Sequence, residues 1–285
     1  MYGAIIGDLA GSTYEVKEVT YKKNKDKVPY KERVKILDKK IPLFLDDSSI
    51  TDDTVLTCAI ADAILNDGDY KKYLIMYGKR EVNLGLDVYG RSRFGKGFIN
   101  WLEDNSKNDS FGNGCAMRIS PVGLYFDYIN DVKNETYKAT VTSHNHEESI
   151  LCATAVAVSI YLAKIGCLKE QIKSYIENNY FSLDYDLEDL QHNYTFKSKA
   201  INSVPHAIFC FLESSDFEDS IRKAISIGGD TDTIAAITGS ISEAYYGVPE
   251  HLIFEIQKYI PDYLKETIEK FYNNKNNKKL CLRKE

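Results

Sequence analysis

Between Ser149 and Ile165 the chain presents Ala, Val, Ile and Leu on almost every side of a helical wheel. A helix that is apolar all round must be enclosed by other elements, because none of its faces tolerates water. The stretch therefore predicts a central helix in an all-α domain. Apolar residues also recur at three-to-four spacing at Val55, Leu56, Ala59, Ile60, Ala63 and Ile64, behind Asp52 as a helix-start residue, which predicts a helix over 53–66. The same reasoning predicts helices over 69–80, 95–105, 131–142, 168–178, 197–213, 217–226, 232–246 and 250–271, the last interrupted near Pro261. Strand signals are confined to Val28–Leu45, where loose alternation between Pro29 and Pro42 predicts a short hairpin. No repeat, linker or shift of composition divides the chain. The expectation is a single-domain orthogonal helical bundle over 1–272, followed by a polar tail, 273–285, too poor in apolar groups to order itself.

The 285 residues carry 36 basic and 42 acidic side chains, a net charge of −6, which gives no general grip on nucleic acid through phosphate neutralisation. The six cysteines stand singly, without Cys-x-x-Cys or His-spaced pairs, and read as reduced thiols. No run of eighteen apolar residues and no basic leader occurs, so the expectation is a cytoplasmic protein without a membrane partner. Nothing in the pattern specifies an oligomer, and a monomer is expected. Against the net charge, Lys22–Lys40 holds nine basic and three acidic residues. With Arg91, Arg93 and Lys96 it is expected to help position an anionic macromolecule, or else to be a solvated face.

Two segments run directly into apolar helices: Ser49-Ile50-Thr51-Asp52-Asp53-Thr54 and Gly228-Gly229-Asp230-Thr231-Asp232-Thr233. Each alone reads as a helix cap. A cap needs one acceptor, however, and the consecutive side chains of Asp52 and Asp53 diverge by about 100°, so they can serve different partners. Carboxylate and hydroxyl oxygens without Cys or His are hard ligands suited to Mg²⁺, Mn²⁺ or Ca²⁺. If the four aspartates converge at about 5 Å, each pair repels by roughly 3 kcal/mol at an effective dielectric of about 20. Such a cluster either binds cations or keeps protons.

Gly3-Ala4-Ile5-Ile6-Gly7-Asp8-Leu9-Ala10-Gly11-Ser12-Thr13-Tyr14-Glu15, Thr51-Asp52-Asp53-Thr54, Gly112-Asn113-Gly114-Cys115-Ala116-Met117-Arg118, Ser143-His144-Asn145-His146 and Gly229-Asp230-Thr231-Asp232-Thr233 follow one another in an order that resembles the ADP-ribosylglycohydrolase family. The resemblance runs from Met1 to about Tyr272. It implies an all-α fold with a dinuclear metal cleft, two Mg²⁺ with Mn²⁺ as the alternative, and Thr51, Asp52, Asp53, Asp230, Asp232 and Thr233 as ligands. It implies that Glu15 sits over the metals and that Glu15 or Asp53 handles protons while water attacks C1 of the distal ribose. It further implies that Gly112, Asn113 and Gly114, with Cys115 and Met117, hold the diphosphate and proximal ribose, and that His144 lines the same pocket.

The chain departs from the family pattern at Arg93-Phe94-Gly95-Lys96-Gly97-Phe98, where relatives commonly carry Gly-Tyr-Gly-Gly beside the substrate ribose; Phe94 and Gly95 are expected there. The family reading is a hydrolase that frees ADP-ribose from a protein, nucleic-acid or small-molecule acceptor. One rival is a catalytically silent, crystallin-like binder, which the presence of all six implied ligands disfavours. Another is a Mg²⁺-dependent phosphohydrolase, disfavoured because helices and no doubly wound sheet follow Asp230.

Overall fold

The computed structural model describes residues 1–23, 27–85, 92–104 and 107–282. Arg91, and Lys25 of the basic excursion, lie outside the described residues. The chain begins with α1 (Tyr2–Lys23), then α2 (Tyr30–Arg33), α3 (Asp52–Leu65), α4 (Tyr70–Leu84) and α5 (Lys96–Glu103). The middle comprises α6 (Gly114–Met117), α7 (Ser120–Tyr125), α8 (Ile129–Val141), α9 (Glu147–Lys164), α10 (Lys169–Asn179) and α11 (Leu187–Asn193). The last third contains α12 (Val204–Leu212), α13 (Phe217–Ser226), α14 (Thr231–Tyr246), α15 (Glu250–Ile256) and α16 (Asp262–Leu282). Among the described residues β-pairing is limited to two isolated bridges, Asp109 with His144 and Gly112 with Lys199. No described helix is long and apolar enough to cross a membrane.

The apolar stretch at 149–165 is α9, packed against α6, α7, α8 and α14. A second enclosed helix matters as much. Every residue of α14 from Thr231 to Ser242 is buried, and its principal partner is α1. Glycines at 3, 7 and 11 make that contact. A Cβ on Gly3 would meet Gly239 O at 2.0 Å, one on Gly7 would meet Ala235 O at 2.1 Å, and one on Gly11 would meet Thr231 O at 2.4 Å. As α1 advances by four residues, α14 retreats by four, so the helices run antiparallel with their backbones touching over about two turns. Apolar periodicity predicts no helix here, since glycine weakens an isolated helix by about 1 kcal/mol relative to alanine and reads as a breaker. Close packing overrides that propensity.

The hairpin expected over Val28–Leu45 is absent and must be corrected: the segment holds α2 and a 3₁₀ turn, Val34–Leu37. Two buried guanidinium groups hold the segment in place: that of Arg222 satisfies backbone carbonyls a partner strand would otherwise take, and that of Arg33 ties the segment to carbonyls elsewhere in the fold. Arg222 donates to Ile36 O at 2.5 Å and Ile41 O at 2.9 Å. Arg33 donates to Tyr194 O at 2.7 Å and Ile227 O at 3.0 Å, and pairs with buried Glu18 at 3.1 Å. One of the nine cations of the excursion is thus a fastening inside the fold. The helix expected from 197 instead starts at Val204, because Ser198 O accepts from Asn113 N at 2.9 Å and Ala200 N donates to Phe111 O at 3.1 Å. Pro261 separates α15 from α16, and α16 continues through most of the polar run after Asn273.

Gly7→Ala is expected to lower the unfolding free energy by more than the ~1–3 kcal/mol usual for overpacking, because the obstructing atoms are backbone. Gly97→Ala in α5, where a Cβ meets nothing within 4 Å, should be neutral or stabilise by about 1 kcal/mol or less. Denaturation midpoints check the contrast; equal midpoints would mean that α1 and α14 part without penalty.

Candidate metal centre and substrate cleft

The close α1–α14 contact fixes where the acidic side chains of both helices go. Asp8 and Glu15, seven residues apart, share one face of α1. Asp230 stands at the N-cap position of α14, its side chain turned from the helix amides, and Asp232 lies in the first turn, while Thr51 caps α3 by accepting from Asp53 N and Asp52 and Asp53 open it. Two groups of carboxylates result: Asp8, Asp53 and Asp232, and Glu15, Asp230 and Asp232, each with oxygens within 4.8 Å of one another. Asp232 belongs to both. The hydroxyls of Thr51 and Thr233 each lie 3.3 Å from Asp53 Oδ2. Asp52 is partly buried at the edge of the cluster.

Asp8 is the functional residue that sequence reasoning missed. It is fully buried, and its Oδ2 accepts from Thr51 N at 2.9 Å, Thr54 N at 3.1 Å and Thr54 Oγ1 at 2.5 Å, while Oδ1 accepts from Thr51 Oγ1 at 2.8 Å. It therefore fastens the start of α3 to α1. The available signal was its place in Gly7-Asp8, two turns before Glu15. Asn113 has a comparable role, donating through Nδ2 to Asp230 Oδ2 at 2.8 Å and Ser203 Oγ at 3.2 Å.

Burial, then mutual repulsion, pushes the carboxyls of Asp52, Asp53 and Asp232 well above the ordinary range; burial also raises Asp8 and Asp230. A divalent cation would reverse that balance. The donor set fits one. It is all oxygen, and Asp53 Oδ1 is buried without a hydrogen-bond partner among the described residues.

Two cavities meet at Asp52. One of about 570 Å³ is lined by Phe98, Trp101, Gly114, Met117, Arg118, Ser143 and His144 among others, and one of about 230 Å³ by Glu15, Thr51, Arg93, Phe94, Gly95 and Asp232 among others. Of the residues expected at substrate, Gly114, Met117 and His144 thus border the larger space, and Phe94 and Gly95 the smaller. Gly112, Asn113 and Cys115 stand behind them: the amides of Gly112 and Asn113 already donate to Ser110 Oγ and Ser198 O, and the Cys115 thiol, pushed up to about 11 by burial, contacts Ser149 O. Arg93 is spent on structure, pairing with Glu81 at 2.9 Å and donating to Ile50 O at 2.7 Å.

An all-α bundle that opens a divided cleft onto clustered carboxylates defines a helical protein with a candidate cation centre. The chain belongs to the ADP-ribosylglycohydrolase family, whose model matches residues 1–280. It is 23% identical to the ADP-ribosylhydrolase ARH3 of Bos taurus over 312 residues, covering 87% of this chain and 84% of that one. To a protein of Archaeoglobus fulgidus it is 27% identical over 195 residues, 61% of each chain, so it spans under two thirds of that relative. A solved ADP-ribosylglycohydrolase-related protein complex shares the fold, with a TM-score of 0.60 at 20% identity over 79% of this chain and 81% of that one.

Saturating Mg²⁺ should stabilise the protein, by about 2.7 kcal/mol at a hundred times the dissociation constant. Asp232→Ala should erase that increment. Asp8→Asn, which sets an amide donor against the donors of Thr51 and Thr54, should destabilise by about 1–3 kcal/mol even in chelator. Thermal scans with and without chelator separate the two roles; an identical Mg²⁺ increment in Asp232→Ala would remove that residue from the cation site.

Proposed function

We propose that this protein hydrolyses the glycosidic bond between ADP-ribose and a modified acceptor, using two divalent cations held by Thr51, Asp52, Asp53, Asp230, Asp232 and Thr233. The observation that carries the reading is the meeting of both cavities at the acidic cluster. A space of about 570 Å³ with the aromatic faces of Phe98 and Trp101 accommodates a nucleotide, and its border with the cluster is where a bond to an acceptor would lie. When bound, the cations supply Lewis acidity and water activation. Mg²⁺ is the proposed ion and Mn²⁺ its substitute.

The side chains divide the remaining work. Asp8 fixes Thr51 and the first turn of α3, and Asn113 orients the Asp230 carboxylate, through the hydrogen bonds above. Glu15 lines the smaller cavity within reach of Asp230 and Asp232, so it is the proposed group to take a proton from water or deliver one to the leaving acceptor, with Asp53 as the second candidate. Gly114, Met117 and His144 border the nucleotide, and Phe94 and Gly95 the ribose nearest the acceptor. The acceptor approaches across the smaller cavity, on whose rim Arg93 is already engaged by Glu81.

Release of ADP-ribose from arginine-, serine- and DNA-linked substrates, with and without magnesium, tests the activity and identifies the acceptor. Magnesium-dependent release from at least one is expected, and none from any would sink the reading. Glu15→Gln should retain ADP-ribose binding while turnover falls roughly 10²-fold or more. Unchanged turnover would exclude Glu15 from proton transfer.

A further inference from the structure

His144 is held by two buried side chains, Arg118 and Ser143, that border the same cavity and take no part in the proton transfers proposed above. Arg118 Nη2 donates to Ser143 Oγ at 2.7 Å, and Ser143 Oγ lies 2.7 Å from His144 Nδ1. Arginine has only donors, so the serine oxygen accepts from it; among the described residues the hydroxyl hydrogen of Ser143 has no hydrogen-bond acceptor other than Nδ1, and it is satisfied only if it points there. Nδ1 is then an acceptor. Burial and the Arg118 charge hold the imidazole well below its ordinary range, so the ring is neutral and its one hydrogen resides on Nε2. That nitrogen sits beside Gly114, where a Cβ would approach it to 3.4 Å, and the ring borders the larger cavity. The backbone is fixed as well: His144 N donates to Thr140 O at 2.9 Å, and His144 bridges Asp109.

We propose that Arg118 and Ser143 are positioning residues that lock His144 in the neutral Nε2–H tautomer, so that it serves as a fixed hydrogen-bond donor to a lone-pair atom of the ligand in the larger cavity. The identity of that ligand as an ADP-ribosyl group rests on the function proposed above; the tautomer does not. A mobile or charged histidine would accept either kind of ligand edge or attract anions indiscriminately. A locked neutral donor rejects ligands that present an N–H or O–H at that point, because two facing donors leave both unpaired.

Histidine-selective ¹⁵N NMR on the full chain near neutral pH reads the tautomer directly, with His144→Gln identifying the signal. An unprotonated Nδ1 and a protonated Nε2 are expected, with the Nε2–H resonance moving on addition of ADP-ribose. Ser143→Ala should weaken ADP-ribose binding about fivefold, as for a lost neutral hydrogen bond, and Ser143→Thr, which keeps the hydroxyl, should restore it. A protonated Nδ1 alongside intact ADP-ribose hydrolysis would overturn the relay alone. The expected tautomer with no response to ADP-ribose would overturn the donor role together with the ADP-ribosyl reading. Equal affinity in Ser143→Ala would overturn the positioning role of Ser143.

Discussion

The backbone contact between α1 and α14 is the constraint on which the site depends. Gly3, Gly7 and Gly11 remove the side chains that would keep the helix axes apart, and α14 answers with Gly239, Ala235 and the backbone at Thr231. Interhelical distances ordinarily run from about 8 to 10 Å according to the side chains at the contact, and a contact made by backbone falls at the close end. Asp8 and Glu15 on one helix and Asp232 on the other are brought within reach by that approach. The same glycines that weaken α1 as an isolated helix make it part of a carboxylate cluster.

Holding those carboxylates together is unfavourable in itself, and the fold supplies restraints before any cation does. Asp8 is saturated by four donors from the start of α3, so its orientation is fixed from all sides. The start of α14 is held from the other direction. Glu18 and Arg33 pack against Gly228, and Tyr194 against Gly229, two left-handed residues where a side chain would be both strained and obstructed. The excursion after α1 therefore supports the Gly-Gly-Asp turn from behind, through a single buried arginine. Its described lysines remain at the surface, where Lys35 and Lys39 meet Glu32 and Asp216 in exposed pairs worth little energetically.

Long apolar helices such as α3, α9 and α14 were legible because burial leaves a periodic trace in composition. The aspartate pairs were legible because two adjacent carboxylates exceed what a cap requires. Glu15 was reachable only through resemblance, since nothing local distinguishes it from the other carboxylates near the lysines of α1. Asp8 and α1 were missed for one reason: glycine spacing records an approach between two distant backbones, and a scan for apolar periodicity cannot see it. The misplaced hairpin has the opposite origin. Alternation over 28–45 predicts pairing between strands, whereas Arg222, far along the sequence, serves the segment's carbonyls and Arg33 reaches out of it to Tyr194 O and Ile227 O. Asn113 likewise reads as a loop residue until Asp230 is placed beside it.

Both acidic segments open helices, and the two helices point their N-termini at the same place. Each end carries about half a positive charge from aligned peptide dipoles. Six carboxylates stand in or beside the cluster: Asp8, Glu15, Asp52, Asp53, Asp230 and Asp232. Set against two divalent ions on the function proposed above, and about one further positive charge from the helix ends, they leave the occupied centre roughly one charge negative. A glycosidic bond breaks through an oxocarbenium-like state whose sugar ring becomes cationic. The slight excess of acid over cation would thus favour the ring as it departs from its acceptor, whereas the empty cluster, whose buried carboxyls are pushed toward their protonated forms, would offer that ring far less.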